Sequence, residues 1–91
     1  MNNKTVVITG ASSGLGKATA LAFARRGWQI AVADINQERG DEAVEEIKAL
    51  GSQAFFQHCN VTKSEDIQAL HDRCLEEWDQ IDVLINNAGI V

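Results

Sequence analysis

The chain has 91 residues, of which 45% are apolar and 23% charged, and its formal net charge is −5 at pH 7. This composition is ordinary for a folded protein and argues against disorder, and the length allows one domain at most, with a modest core. The negative charge makes a nucleic-acid-binding surface improbable, because such surfaces need clustered Lys and Arg.

The first predicted element is a strand from Lys4 to Thr9, a continuous apolar run typical of the centre of a parallel sheet. A turn rich in glycine follows it, with Gly10, Gly14 and Gly16, and leads directly into a helical pattern. The first N–H groups of a helix have no partner inside it, and the helix dipole favours negative charge there. Glycines let the backbone turn sharply and approach a diphosphate. This arrangement predicts the phosphate-binding turn of a dinucleotide site.

The next elements are a helix, a second strand and a second helix. The first helix starts at Gly14 and has a broad apolar stripe, and Gly27 is placed to end it. The second strand covers Trp28 to Asp34 and ends in an acid. Asn36 can cap the second helix, which Gly51 closes. The acidic outer face of this helix is typical of a solvated surface, and we assign it no function.

The third strand lies within Gln53 to Val61, and a third helix follows it. Thr62 and Glu65 have the spacing of a capping box at the start of this helix, and Ser64 is a competing cap. The helix carries apolar residues at helical spacing, including Trp78. That indole can be interpreted as a stacking surface for a ligand, but we favour a role as a core anchor.

The fourth strand covers Asp82 to Asn86. Strands and helices therefore alternate as β-α-β-α-β-α-β along residues 1–91, with no repeat or linker, as one domain of the α/β class. This order predicts a parallel sheet with right-handed crossovers. In such sheets, ligands bind outside the carboxyl ends of the strands, where the strand order reverses.

Two motifs resemble those of the short-chain dehydrogenase/reductase family, and the resemblance runs from about residue 4 to the end of the chain. One is the coenzyme loop, Thr9-Gly10-Ala11-Ser12-Ser13-Gly14-Leu15-Gly16, and the other is Asn86-Asn87-Ala88-Gly89, which follows the fourth strand as in that family. The resemblance implies a Rossmann-type sheet with helices on both faces and the strand order 3-2-1-4. The two motifs would then meet between strands 1 and 4.

The resemblance also implies a site for a nicotinamide dinucleotide. The implied contact residues are Gly10, Ser12, Ser13, Gly14, Leu15, Gly16, Asp34, Asn60, Val61, Asn86, Ala88 and Gly89. The family usually has Asp where Asn60 stands, and that Asp contacts the adenine amino group. Asn60 keeps a carbonyl acceptor but loses the charge. Val61 would contribute its backbone, and the Asn87 side chain would tie neighbouring strands together.

Asp34 indicates which coenzyme is preferred. It follows Gly16 by 18 positions and ends the second strand, where an acid can accept hydrogen bonds from the adenosine ribose hydroxyls. The same charge would repel the extra phosphate of NADP, and the next residues, Ile35 and Asn36, are not basic. We therefore expect NAD in preference to NADP. Without the upstream turn, Asp34 would be interpreted as a surface acid at a strand end.

The family reaction transfers a hydride between nicotinamide and a carbonyl or alcohol, with a Tyr and a Lys four residues later as catalytic groups. These groups follow the second motif in the family, and this chain contains no Tyr. We therefore expect no catalytic residue in the 91 residues and no activity of the chain alone.

The sequence is compatible with three hypotheses about function. The chain can be the amino-terminal coenzyme-binding part of an NAD-dependent short-chain oxidoreductase, present as a truncated fragment. It can be a non-catalytic module for NAD or another adenine nucleotide. It can also be an interaction fragment whose open fourth strand pairs with another chain. A homo-oligomer or self-association through this edge is expected, because half of a doubly wound sheet should be only marginally stable.

The remaining expectations concern location and metals. Cys59 and Cys74 are too few for a disulfide framework, and no spacing of His and Cys matches a zinc site. No apolar run approaches the length of a membrane span, and the first residues do not begin a signal peptide. We expect a cytoplasmic chain with two buried thiols.

Overall fold

Four strands alternate with three helices along residues 4–12 and 14–87, the part of the chain that this computed structural model describes. The strands are β1 (Thr5–Thr9), β2 (Gln29–Asp34), β3 (Ala54–His58) and β4 (Val83–Asn86). The helices are α1 (Gly14–Arg25), α2 (Gln37–Ala49) and α3 (Ser64–Trp78). The predicted alternation is confirmed. Ser13, Ala88 and Gly89, which belong to the predicted contact residues, lie outside the described residues.

The strands form one parallel sheet with the order β3-β2-β1-β4, which confirms the expected Rossmann-type topology. Strand β1 lies between β2 and β4, with Val6 opposite Ile30 on one side and Val83 on the other. All five residues of β1 are buried, because helices cover both faces of the sheet. The continuous apolar run of this strand fits that position.

The core is divided by the sheet into two layers. One layer packs α1 and α2 against β1 and β2, and its buried members include Val6, Ile8, Ala20, Ala24, Ile30, Val32, Val44 and Ile47. The other packs α3 against the opposite face, with Val7, Ala31, Ala33, Phe55, Cys59, Leu70 and Cys74 buried. Trp78 packs on this second layer, with its ring 5.1 Å from that of Phe55 between centroids. The predicted role of Trp78 as a core anchor is confirmed.

The starts of α2 and α3 differ from each other. Asn36 caps α2 as predicted, since its side chain accepts a hydrogen bond from the Arg39 N–H at 2.9 Å. The N-cap residue of α3 is Lys63, whose side chain makes no capping bond. The predicted capping box of Thr62 with Glu65, and the alternative cap Ser64, are therefore wrong. The physical reason is that α3 begins at Ser64, which places Thr62 before the N-cap and Ser64 after it.

Both cysteines are free and buried, as predicted. Burial raises the pKa of the Cys74 thiol to about 11, so this group stays protonated at neutral pH. No helix within the described residues is both long and apolar enough to span a membrane.

One side of the second core layer is open. Strand β4 is the edge of the sheet among the described residues, and no strand pairs with its outer side. Beside it, Leu84 is 64% exposed and Ile67 on α3 is 44% exposed. They border an apolar groove of about 290 Å³, whose lining residues are Val7, Ile67, Leu70, His71, Ile81 and Leu84. We call this surface the β4 groove.

Candidate functional site

The predicted contact residues that the structure describes lie at the end of the sheet where the parallel strands finish. Strands β1, β2 and β3 are neighbours, so the segments that follow them lie side by side. Together they form a groove of about 260 Å³ lined by Gly10, Asp34, Ile35, Cys59, Asn60, Val61 and Thr62. We call this surface the strand-end groove. It brings together Gly10, Asp34, Asn60 and Val61, four of the residues predicted from sequence.

The glycine turn after β1 is held against the end of β2. Gly10 has a φ of 66° and Gly14 a φ of 58°, a backbone region that favours glycine. The N–H groups of Gly10 and Ala11 both donate to the carbonyl oxygen of Ala33, at 2.8 and 3.3 Å. A Cβ atom on Gly16 would overlap the Gly10 carbonyl oxygen, with the Gly10 carbonyl carbon only 2.8 Å away. The helix therefore starts in direct backbone contact with the turn.

The start of α1 presents backbone donors. The N–H groups of Gly14, Leu15 and Gly16 donate to no acceptor within residues 4–12 and 14–87. Gly14 and Leu15 are exposed, and no acidic residue lies in the first turn of the helix. Free N–H groups and the positive end of the helix dipole together form a place where an anion is stabilised.

The carboxylate of Asp34 links β2 to the glycine turn. Its Oδ2 accepts hydrogen bonds from the Ser12 hydroxyl at 2.6 Å and the Ser12 N–H at 3.2 Å. Its Oδ1 accepts from the N–H groups of Ile35 at 2.7 Å and Asn36 at 3.3 Å. Oδ1 thus accepts from two backbone N–H groups. Oδ2 accepts from one backbone N–H and from the Ser12 hydroxyl, which is the only side-chain donor among these four.

These hydrogen bonds keep Asp34 ionised. Partial burial alone would raise the pKa of this carboxyl, but the donors from Ser12, Asn36 and Ile35 outweigh it and hold the pKa below the ordinary value of 3.8. At neutral pH the group is therefore a negatively charged acceptor at the edge of the groove. A ligand hydroxyl can bond to Oδ2 by taking the place of the Ser12 hydroxyl, which can rotate away, and the charge repels a second anion.

A compact turn follows β3. The Oδ1 atom of Asn60 accepts hydrogen bonds from the Thr62 N–H at 3.0 Å and the Thr62 hydroxyl at 2.6 Å. The Asn60 N–H donates to Asp66 Oδ2 at 2.9 Å, which joins the turn to the first turn of α3. The carbonyl acceptor that the sequence offered for an adenine contact is therefore already used inside the turn.

The second motif joins β4 to the end of β1. The Thr9 hydroxyl donates to Asn86 Oδ1 at 2.7 Å, and the Asn87 N–H donates to the Thr9 carbonyl at 3.3 Å. Among the described residues, the strands are thus tied by the Asn86 side chain and the Asn87 backbone. The Asn87 Nδ2 atom is buried and has no hydrogen-bond partner among them, which differs from the side-chain tie that the resemblance implied.

Sequence reasoning missed three members of the strand-end groove. Ile35 is 65% exposed beside Asp34, and an apolar residue at a strand end between two polar ones was the available signal. Thr62 follows Asn60 by two positions, a spacing at which an Asn side chain commonly bonds the backbone ahead of it. Cys59 lines the groove although it is 3% exposed, and nothing in its neighbours indicated this.

The sequence of this chain is similar to those of known proteins. The model of the short chain dehydrogenase family matches residues 4–91. The chain is similar to the 7alpha-hydroxysteroid dehydrogenase of Escherichia coli strain K12, with 39% identity over 89 residues, which are 98% of this chain and 35% of that protein. It is also similar to the cyclohexanol dehydrogenase of Acinetobacter sp. strain SE19, with 41% identity over 90 residues, 99% of this chain and 36% of that protein.

Solved structures share the same fold. A hydroxysteroid dehydrogenase from Escherichia coli has a TM-score of 0.91 and 41% identity, covering 94% of this chain and 37% of that one. An alcohol dehydrogenase from the archaeon Thermococcus sibiricus, complexed with 5-hydroxy-NADP, has a TM-score of 0.85 and 34% identity, covering 89% and 35%. The chain thus spans little more than a third of the length of these relatives.

Proposed function

The chain belongs to the short-chain dehydrogenase family, and on this premise we propose that it is the NAD-binding part of an oxidoreductase. When bound, NAD would supply the hydride acceptor or donor for a carbonyl or alcohol substrate. The chain's own residues would bind and orient it. Because the sequence contains no Tyr, we assign these 91 residues no part in proton transfer.

The observation that carries this proposal is the order of the groups along the strand-end groove. The turn after β1 leads into the N–H groups at the start of α1 that have no acceptor among the described residues, an ionised carboxylate ends β2, and the Asn60 turn follows β3. Diphosphate, ribose and base follow one another in the same order in an adenine dinucleotide. Neighbouring strands lie about 4.8 Å apart, so the three groups are spread over roughly 10 Å. A dinucleotide bound across the strand ends would therefore have its diphosphate near the N–H groups, its ribose near the carboxylate and its base near the Asn60 turn.

The charges of the groove support NAD over NADP. The residues that line it include one ionised acid, Asp34, and no Lys or Arg. A diphosphate can be bound by backbone N–H groups at the start of α1. A 2′-phosphate on the ribose would instead meet the Asp34 carboxylate without a cation to offset the repulsion.

A calorimetric titration of the chain with NAD and then with NADP tests the proposal. We expect saturable binding of NAD and at least tenfold weaker binding of NADP, because a charge next to the 2′ position costs at least about 1.4 kcal/mol. Absence of binding by both dinucleotides would refute the proposed function. Equal affinity would leave the coenzyme site in place but remove the selecting role of Asp34.

We also propose that the chain self-associates through the edge of β4 and the β4 groove. An open strand edge is a template for pairing, and here it continues into an apolar surface with two exposed side chains, Leu84 and Ile67. Two copies related by a two-fold axis would pair their β4 strands antiparallel and bring the two apolar surfaces together.

Leu84→Lys is expected to shift this association to at least tenfold higher protein concentration, because it places a charge on the surface that a second copy would cover. Sedimentation velocity over a range of concentrations measures the effect. Leu50→Lys is the matched control, since Leu50 is also an exposed leucine, 45% accessible, but follows α2. A monomeric unmodified chain, or equal association of both variants, would contradict the proposal.

A further inference from the structure

The turn after β3 determines which end of the Asn60 side chain is available to a ligand. A backbone N–H can only donate, so the amide atom that pairs with the Thr62 N–H at 3.0 Å must be the oxygen. The Thr62 hydroxyl occupies the same oxygen at 2.6 Å. A carbonyl oxygen has two lone pairs, and both are used by Thr62.

What remains at this end of the strand-end groove is a pair of hydrogen-bond donors. The Nδ2 group of Asn60 and the N–H of Val61 have no acceptor within residues 4–12 and 14–87. Both residues line the groove, next to Thr62 and beyond Asp34. A ligand base that enters here therefore meets donors from these two neighbouring residues, and no acceptor from the Asn60 side chain.

The position of these donors relative to Asp34 makes them contacts for the base. Strand β3 pairs with β2 in the register Asp34 opposite His58, and Asn60 follows His58 by two residues. A ribose whose hydroxyls bond to Asp34 would direct its base along the groove toward this turn. The six-membered edge of a purine would then face the two donors.

Two donors do not distinguish a 6-amino purine from a 6-oxo purine. Adenine presents an acceptor at N1 and a donor at its 6-amino group, while hypoxanthine presents an acceptor at O6 and a donor at N1. Each base therefore makes one matched contact with the pair and one donor-to-donor mismatch. The advantage that an acceptor on residue 60 would give adenine is missing, because both lone pairs of Asn60 Oδ1 are used by Thr62.

We propose that the base-binding end of the groove accepts 6-oxopurine dinucleotides, and that nicotinamide hypoxanthine dinucleotide binds within about threefold of NAD. This inference rests on the proposed coenzyme-binding function and extends it to the identity of the base. The contacts to the diphosphate and the ribose are the same for both ligands. Selection at carbon 6 of the purine depends on Asn60.

Asn60→Asp is the informative variant, because it changes the hydrogen-bonding character of one atom at nearly constant size. One carboxylate oxygen can keep both bonds from Thr62, and the other replaces the Nδ2 donor by a charged acceptor. That acceptor matches the adenine amino group and faces O6 of hypoxanthine with a negative charge. We expect the preference for NAD over the hypoxanthine dinucleotide to rise to tenfold or more.

Gln53→Glu is the matched control. It makes the same change from amide to carboxylate just before β3, at the opposite end of that strand, where Gln53 Oε1 accepts the Trp78 indole N–H at 3.1 Å. The carboxylate can keep this bond, and the residue does not line the strand-end groove. We expect its ratio of the two dissociation constants to equal that of the unmodified chain.

The experiment measures both dissociation constants by calorimetry for the unmodified chain and the two variants. The inference is supported if the two dissociation constants are nearly equal in the unmodified chain and differ tenfold in Asn60→Asp alone. A tenfold or greater preference of the unmodified chain for NAD overturns it, and so does an unchanged ratio in Asn60→Asp. If neither dinucleotide binds the unmodified chain, the proposed function itself fails and this inference with it.

Discussion

Gly16→Ala is expected to abolish measurable NAD binding and to lower the free energy of unfolding by about 3 kcal/mol. The new methyl group would overlap the Gly10 carbonyl oxygen and approach the Ala11 Cα atom to 3.1 Å. Both neighbours are backbone, so neither can rotate away as a side chain would. Helix α1 would have to move off the turn, and its N–H donors would lose their position.

Calorimetric titration with NAD and urea unfolding followed by circular dichroism measure the two effects. Gly51→Ala is the control, because Gly51 has a φ of 90° and open space around its Cα, so it reports only the cost of an unfavourable φ. That cost is about 1–2 kcal/mol, and Gly51 follows α2, outside the strand-end groove. Unchanged NAD affinity in Gly16→Ala would show that the contact with Gly10 does not position the helix start.

Asp34→Asn is expected to weaken NAD binding by about 30-fold and to remove most of the preference over NADP. One reason is the loss of the carboxylate charge, because that charge strengthens the hydrogen bonds from ribose hydroxyls and repels a 2′-phosphate. The other is local: an amide nitrogen would face either the Ser12 donors or the N–H groups of Ile35 and Asn36. Donor would meet donor, and the turn would lose its link to β2.

The measurement is the pair of dissociation constants for NAD and NADP in Asp34→Asn, compared with Asp72→Asn. Asp72 is an exposed acid on α3 that accepts a hydrogen bond from Gln68 at 2.8 Å, so the control removes the same charge far from the groove. We expect Asp72→Asn to keep the selectivity of the unmodified chain. An equal preference for NAD in both variants would contradict the role of Asp34.

The parts of the fold that follow from local sequence pattern were predictable. The continuous apolar run of β1 indicated a central parallel strand, and β1 has a neighbouring strand on each side and all five of its residues buried. The glycine turn was predicted from its glycines between an apolar run and a helical pattern, and Gly10 and Gly14 have positive φ there. Such features depend on residues close in the chain, where backbone sterics dominate.

Features that depend on competition between partners were not predictable. The capping box failed because α3 begins at Ser64 with Lys63 as its N-cap, and the Thr62 side chain turns instead to Asn60, to whose Oδ1 its hydroxyl donates. The bond from Ser12 to Asp34 joins residues 22 positions apart, and no spacing rule indicates it. The strand tie similarly uses Asn86 where the resemblance implied the neighbouring Asn87, since β4 is in register with Thr9 at Asn86.

The central position of β1 has a consequence for the order in which the chain is made. Its two neighbours are separated in sequence, because β2 starts at Gln29 and β4 at Val83, and the Thr9–Asn86 bond closes a separation of 77 residues. A ribosome adds roughly 5–20 residues per second, so about 50 further residues delay β4 by several seconds after β2 is complete. During that time the most buried strand has one unpaired side. Nascent chains would therefore need protection at this side of β1 until β4 emerges.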